Sequence, residues 1–184
     1  MPDPLAVAFV PGVTPGKWQR IWRERRPRGR LDLVAMHQDA ALASLDDGTV
    51  HMALLRDVSA DDARHAIALY RESPVVVAPK GSLVASLDSV SLAELAEVDD
   101  VTVLPVDLIS GSGADAVELV AANVGVAVMP QSVARAHSRR DVVARPLTDG
   151  VETGISLVWP TAGAHPLVDE FIGIVRGRTP NSSR

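Results

Sequence analysis

The sequence predicts an α/β fold, and three observations carry that reading. Short apolar runs alternate along the 184 residues with segments of helical periodicity. The hydrophobic share is 47% but aromatics make up only 3%, so the core has to be built from Val, Leu, Ala and Ile, residues that suit buried strands. The first five elements also follow as strand, helix, strand, helix, strand with short connections, which implies right-handed crossovers and a parallel sheet.

Leu5–Val10 is an apolar run closed by Pro11-Gly12 and reads as a buried strand followed by a turn. Thr14-Pro15-Gly16 has the form of a helix start, with Thr14 as N-cap and Pro15 at the first helical position. That helix buries Trp18, Ile21 and Trp22 and stops before Pro27. Leu31–Met36 is the second strand. Asp39–Leu45 is a helix with Leu42 and Leu45 inward, closed near Gly48, and Val50–Leu55 is the third strand. After the polar Ser59–Arg64 stretch come strands at Ala66–Tyr70 and Pro74–Ala78.

Ser91-Leu92-Ala93-Glu94 has capping-box spacing and opens a short helix, and Val101–Val106 is a strand. Ser112–Asp115 repeats the capping spacing ahead of a helix carrying Val117, Val120 and Ala121 on one face. Gly125–Met129 is a strand, Pro130-Gln131 leads into a short helix, and Val142–Ala144 and Ile155–Trp159 are strands. A last helix from about His165 to Arg176 places Leu167, Phe171, Ile174 and Val175 on one side, and 179–184 reads as a flexible tail.

Composition excludes several classes of function. The net charge of −5 argues against non-specific nucleic-acid binding by the whole chain. With no cysteine there is no disulfide framework, thiolate metal site or cysteine nucleophile. Met1-Pro2-Asp3-Pro4 lacks the basic stretch of a secretory signal, and no apolar run approaches the ~20 residues of a membrane span, so a cytoplasmic protein is expected.

Several strings resemble the effector domain of LysR-type transcription regulators. Leu5–Gly12 is similar to that family's first strand and ligand loop. Leu45–Leu54 resembles a strand start in which His51 stands where the family usually has Asp. Pro74–Leu83 with Val90–Leu95 resembles the first interlobe crossover and the helix after it. Glu118–Pro130 matches the family's helix-to-strand passage, with Asn123 in place of a Gly, a change the left-handed tolerance of Asn permits. His165–Ile172 resembles the closing helix.

The resemblance covers nearly the whole chain and implies a two-lobed, type 2 periplasmic-binding-protein-like fold. Residues 1–78 plus 152–178 would form lobe I and 79–151 lobe II, with crossovers near Ala78–Lys80 and Leu147–Ser156. The chain begins where the regulators' linker would end, so no helix-turn-helix is expected before it. The stretch from Leu95 to Gly113 is shorter than in the family, so the second lobe is expected to be truncated.

Candidate site residues follow from both readings. The unpaired N–H groups and dipole of the helix opened by Gly12, Val13, Thr14, Gly16 and Lys17 favour a carboxylate or phosphate, although an ordinary capped helix accounts for the same string. The resemblance places this loop in the interlobe cleft. It adds Gln38, which by itself reads as a capping or solvent-facing amide, and Ser82, Ser110 and Ser112 from the other lobe. No nucleophile elbow, phosphate loop or dinucleotide fingerprint is present. The five His show no metal-ligand spacing, and Asp46-Asp47, Asp61-Asp62 and Asp99-Asp100 read as solvated turn acids. Lys17, Arg20, Arg23, Arg25, Arg26, Arg28 and Arg30, opposed by Glu24, read either as a solvated helix face or as a surface for an acidic partner.

The function expected is non-catalytic binding of a small anionic metabolite, with no cofactor, no metal, no membrane and no direct specific DNA binding. A homodimer or a LysR-type regulator is the expected protein partner. A ligand-free interaction module and an enzyme on the same scaffold are the alternatives.

Overall fold

Strand β1 (Leu5–Phe9) lies between β2 (Leu31–Ala35) and β3 (Met52–Arg56), parallel to both, with Val7 opposite Leu33 on one side and Met52 on the other. This is the α/β fold the sequence predicts: helices α1 (Gly16–Arg25) and α2 (Gln38–Asp46) make the two crossovers. The computed structural model describes residues 3–98 and 101–177. The chain divides into a first unit, Met1–Ala68 with Ser156–Arg184, and a second unit, Leu69–Ile155. Strands β4 (Arg64–Glu72) and β9 (Thr153–Pro160) carry the chain from one unit to the other.

The first sheet has the order β2-β1-β3-β9-β4. Its central strand residues Leu5, Val7, Met52, Leu54, Ile155 and Leu157 are fully buried. Helix α2 packs on β3 and β1, and it buries Ala41 with Leu45; Leu42, expected inward, is half-buried. Helix α1 packs on α7 (Val168–Val175) through Trp22 and Phe171, whose rings lie 6.1 Å apart in a tilted pair. The Trp22 indole N–H donates to the Gly29 carbonyl at 2.9 Å, and Arg26 pairs with Glu170, so the same helix contact is apolar inside and ionic at its rim.

The second sheet, of order β6-β7-β5-β8, contains β5 (Pro74–Pro79), β6 (Val103–Leu104), β7 (Val126–Pro130) and β8 (Val142–Pro146). Here β5 is antiparallel to both β7 and β8, while β6 runs parallel to β7. Alternate residues of β5 face different clusters. Val75 and Val77 meet α5 (Gly113–Ala121) and α6 (Gln131–Ala136), while Val76 and Ala78 meet Val84 of α3 (Leu83–Ser86) and Leu95 of α4 (Leu92–Glu97). Burial on both faces explains why β5 reads as an unbroken apolar run.

The first unit runs to Ala68, and β5 pairs with β7 and β8 and so belongs to the second sheet. The strand expected over Val101–Val106 is reduced to two residues, since only Val103 and Leu104 find partners on β7. Helix α3 was not legible as a helix. The expected tail at 179–184 lies outside the described residues.

Chain termini of the helices follow local chemistry. Ser91 and Glu94 form the complete capping box: the Glu94 N–H donates to the Ser91 hydroxyl at 3.1 Å, and the Ser91 N–H to the Glu94 carboxylate at 2.7 Å. Those bonds hold the Glu94 carboxyl below its ordinary range, so the box's contribution to stability is complete above that range, declines as pH falls through it, and is gone once pH passes the lowered folded-state value. Ser91→Ala is expected to lower stability by about 1 kcal/mol, read from urea unfolding. At the end of α5, Asn123 takes φ 61°, the left-handed conformation its place in the sequence predicted. Gly125 follows because a Cβ there would lie 2.2 Å from the Thr102 carbonyl oxygen.

Candidate functional site

In the first unit the chain leaves β1 through a turn in which the Val13 N–H donates to the Val10 carbonyl at 3.2 Å and Gly12 takes φ 91°. Helix α1 then starts at Gly16, with Pro15 in the N-cap position and no side-chain cap bond. Thr14 is therefore not the N-cap, contrary to expectation. Pro15 takes that place, its carbonyl accepting from the Trp18 and Gln19 N–H groups, and Thr14 is left exposed. The first N–H groups of any helix lack intrahelical acceptors, so Gly16 and Lys17 present theirs at this end. The Lys17 ammonium sits 4.8 Å from the Trp18 ring centroid, which holds a positive charge beside the first turn.

This loop is braced from below. The Gln38 side-chain amide donates to the Arg56 carbonyl at 2.9 Å and accepts from the Arg56 N–H at 2.7 Å. The Arg56 guanidinium in turn donates to the Pro11 carbonyl at 3.3 Å. Gln38 is thus neither a cap nor solvent-facing: only 8% exposed, it ties the end of β3 to the start of α2. Arg56, also buried, was not among the expected site residues, although an Arg closing the apolar run Met52–Leu55 is a readable signal. Asp57 follows at φ 52°, so the chain turns sharply just beyond this brace. The structure therefore gathers Gly12, Val13, Thr14, Gly16 and Lys17 on one loop, with Gln38 acting on them through Arg56.

The expected second-unit residues have other duties. Ser82 caps α3, its hydroxyl oxygen accepting from the Ala85 N–H at 3.2 Å. The Ser110 hydroxyl donates to the Asp107 carboxylate at 2.7 Å, and Ser112 accepts from the Asp107 N–H at 2.6 Å. Ser112 stands in the N-cap position of α5 without a side-chain cap bond, because Asp107 has taken its hydroxyl. Bonds from the Ser110 hydroxyl, then from the Ile109 and Ser110 N–H groups, hold the Asp107 carboxyl below the usual carboxylate range. The structure brings Ser110 and Ser112 together around Asp107, and Ser82 belongs to a separate cap.

A pocket of about 160 Å³ opens in the second unit between Pro74, Leu108, Met129, Pro130 and Val151, with Glu72 and Thr153 as its polar lining. The Thr153 hydroxyl oxygen is buried without a hydrogen-bond partner, and Glu72 is a buried carboxyl. These walls suit the apolar body of a small molecule.

The turn acids are held locally. Asp46 and Asp61 both take Arg64, and the Thr49 N–H donates to Asp47. The pair Asp99-Asp100 lies outside the described residues. The basic run meets more acids than Glu24 alone, since Arg26 pairs with Glu170 and Arg30 with Asp32. Among the described residues no group of three or more acids or histidines is placed to hold a metal ion. No helix among them is long and apolar enough to cross a membrane.

The chain matches the family described as LysR substrate binding domain over residues 5–105 and 99–180. Among solved structures it is similar to the BenM effector binding domain with its effector benzoate, at TM-score 0.74 and 18% identity over 94% of this chain and 90% of that one. Full-length CbnR complexed with its target DNA gives TM-score 0.73 and 19% identity over 95% and 70%. The Corynebacterium glutamicum OxyR C206 mutant gives TM-score 0.73 and 21% identity over 96% of this chain and 64% of that one. No curated protein matches the chain in sequence.

Proposed function

This chain belongs to the LysR substrate-binding domain family, and on that premise we propose that it is a non-catalytic sensor for a small carboxylate metabolite. The observation that carries the reading is the braced loop at the start of α1. Backbone N–H groups at Gly16 and Lys17, the positive end of the helix and the Lys17 ammonium offer an anion a site at the C-terminal ends of parallel strands. The Gln38–Arg56–Pro11 chain of hydrogen bonds fixes that loop before any ligand arrives, so less ordering is left to be done on binding. The BenM effector binding domain, which shares the fold, takes benzoate, a small carboxylate, as its effector.

Binding of this kind changes a protein's state only through differential affinity for two conformations, and the output here is a change of state rather than a reaction. Calorimetry with benzoate and a panel of small aliphatic carboxylates tests the proposal. A Cβ at Gly16 would find no atom within 4 Å, so a side chain can be added there, and Gly16→Leu puts bulk beside the N–H groups proposed to meet the anion. Gly16→Leu and Thr14→Ala are each expected to weaken binding about tenfold, the size of one hydrogen bond to a charged group. Affinity unchanged by both substitutions would remove the site from this loop. Failure of every carboxylate to bind would favour a ligand-free interaction module.

A further inference from the structure

Two histidines far apart in sequence, His51 and His165, meet in the first unit with ring centroids 4.3 Å apart. His51 stands just before β3, and its Nδ1 accepts from the Ala6 N–H at 3.0 Å while its backbone N–H donates to the Ala6 carbonyl at 2.9 Å. His165 stands in the turn before α7, and its Nδ1 accepts from the N–H of Leu167, the N-cap residue, at 3.2 Å. Both rings therefore use Nδ1 as an acceptor, which fixes each neutral imidazole as the Nε2–H tautomer. A ring holding a metal through Nε2 would instead donate from Nδ1, so this geometry points away from a metal pair.

The same geometry gives the pair a response to protons. A proton added to either ring must go on Nδ1, where it meets a backbone N–H that was its donor. The hydrogen bond is lost and the ring must turn away, and once both rings carry a proton the two charges repel.

We propose that the His51–His165 pair is a proton-sensitive latch, closed while both rings are neutral, through which acidification releases the start of α7 from β1. Burial, then the neighbouring His165, lowers the His51 pKa from its ordinary value, and Asp3 opposes them. On the α7 side the charged groups are Asp169 and Glu170 of its first turn, and Glu170 is held by Arg26. Because the folded state binds the proton less readily than the unfolded chain, the latch contributes fully above histidine's ordinary pKa of about 6.5. Its contribution declines as pH falls through that value.

The test uses the full chain and long-range imidazole nitrogen spectra with amide exchange, from about pH 8 to about pH 5. Both rings are expected as Nε2–H tautomers at the upper end, with His51 titrating below its ordinary value. Exchange at Ala6 and Leu167, corrected for its intrinsic pH dependence, is expected to speed up about tenfold across the titration, with β5 amides unchanged. The double variant His51→Asn with His165→Asn keeps an acceptor near each Nδ1 position and is expected to abolish that dependence. Should the double variant not fold, the wild-type measurements decide alone. Nδ1–H tautomers at neutral pH would overturn the latch, as would exchange at Ala6 and Leu167 that ignores the titration.

Discussion

Trp22→Ala is expected to destabilise the first unit by about 3–5 kcal/mol, a large part of the stability of any domain this size. The indole is fully buried, packs against Phe171 at 6.1 Å and donates to the Gly29 carbonyl. Truncation removes all three at once, leaving a cavity between α1 and α7 and an unpaired carbonyl where the chain turns toward β2. Phe171, itself fully buried, loses its ring partner on that side. Trp22→Phe separates the contributions, because it restores most of the volume and loses only the hydrogen bond, so it should cost about 1–2 kcal/mol. Chemical denaturation followed by far-ultraviolet circular dichroism measures both. A loss below about 1 kcal/mol for the alanine variant would show that the α1–α7 contact does not hold the unit together.

The elements that were legible in the sequence are those whose signal is local. The parallel β1, β2 and β3 strands show as short apolar runs and the Ser91–Glu94 box by its spacing, while the left-handed Asn123 shows by standing where the resembled family has Gly. Each misreading came from a competing partner that spacing does not reveal. Thr14 has cap chemistry but Pro15 sits in the cap position; Ser112 has cap spacing but Asp107 holds its hydroxyl. Gln38 reads as a surface amide because its partner, the Arg56 backbone, lies on another strand. His51 and His165 have no spacing at all to join them, since only folding places the turn before α7 beside the start of β3.

These partners have a common consequence for the candidate site. Ser82 and Ser110 in the second unit hydrogen-bond within their own loops, and in the first unit Gln38 and Arg56 brace the loop from beneath. A polar side chain committed to backbone groups is expensive to recruit for a ligand, because the groups it abandons are left unpaired. The exposed N–H groups of Gly16 and Lys17 and the Thr14 hydroxyl carry no such commitment, which is why the proposed carboxylate site is put on them.

Gln38→Leu tests that distinction between touching a ligand and positioning the loop that does. Leucine fills a similar volume but offers nothing to the Arg56 N–H and carbonyl, which lose bonds of 2.7 and 2.9 Å in a buried setting. Each of the two stranded groups costs about 1–3 kcal/mol, so a loss of about 2–6 kcal/mol is expected in urea unfolding. Once the end of β3 is loosened, the Arg56 guanidinium no longer holds the Pro11 carbonyl in place, and carboxylate binding weakens with it. Gln38→Glu refines the result. Its carboxylate still accepts from the Arg56 N–H but faces the Arg56 carbonyl with no proton to give, so it should fall between wild type and Gln38→Leu in stability. A direct ligand contact predicts the opposite pattern: affinity drops while stability stays within about 0.5 kcal/mol of wild type. Measuring unfolding and binding on the same two variants therefore decides whether Gln38 is a brace or a ligand residue.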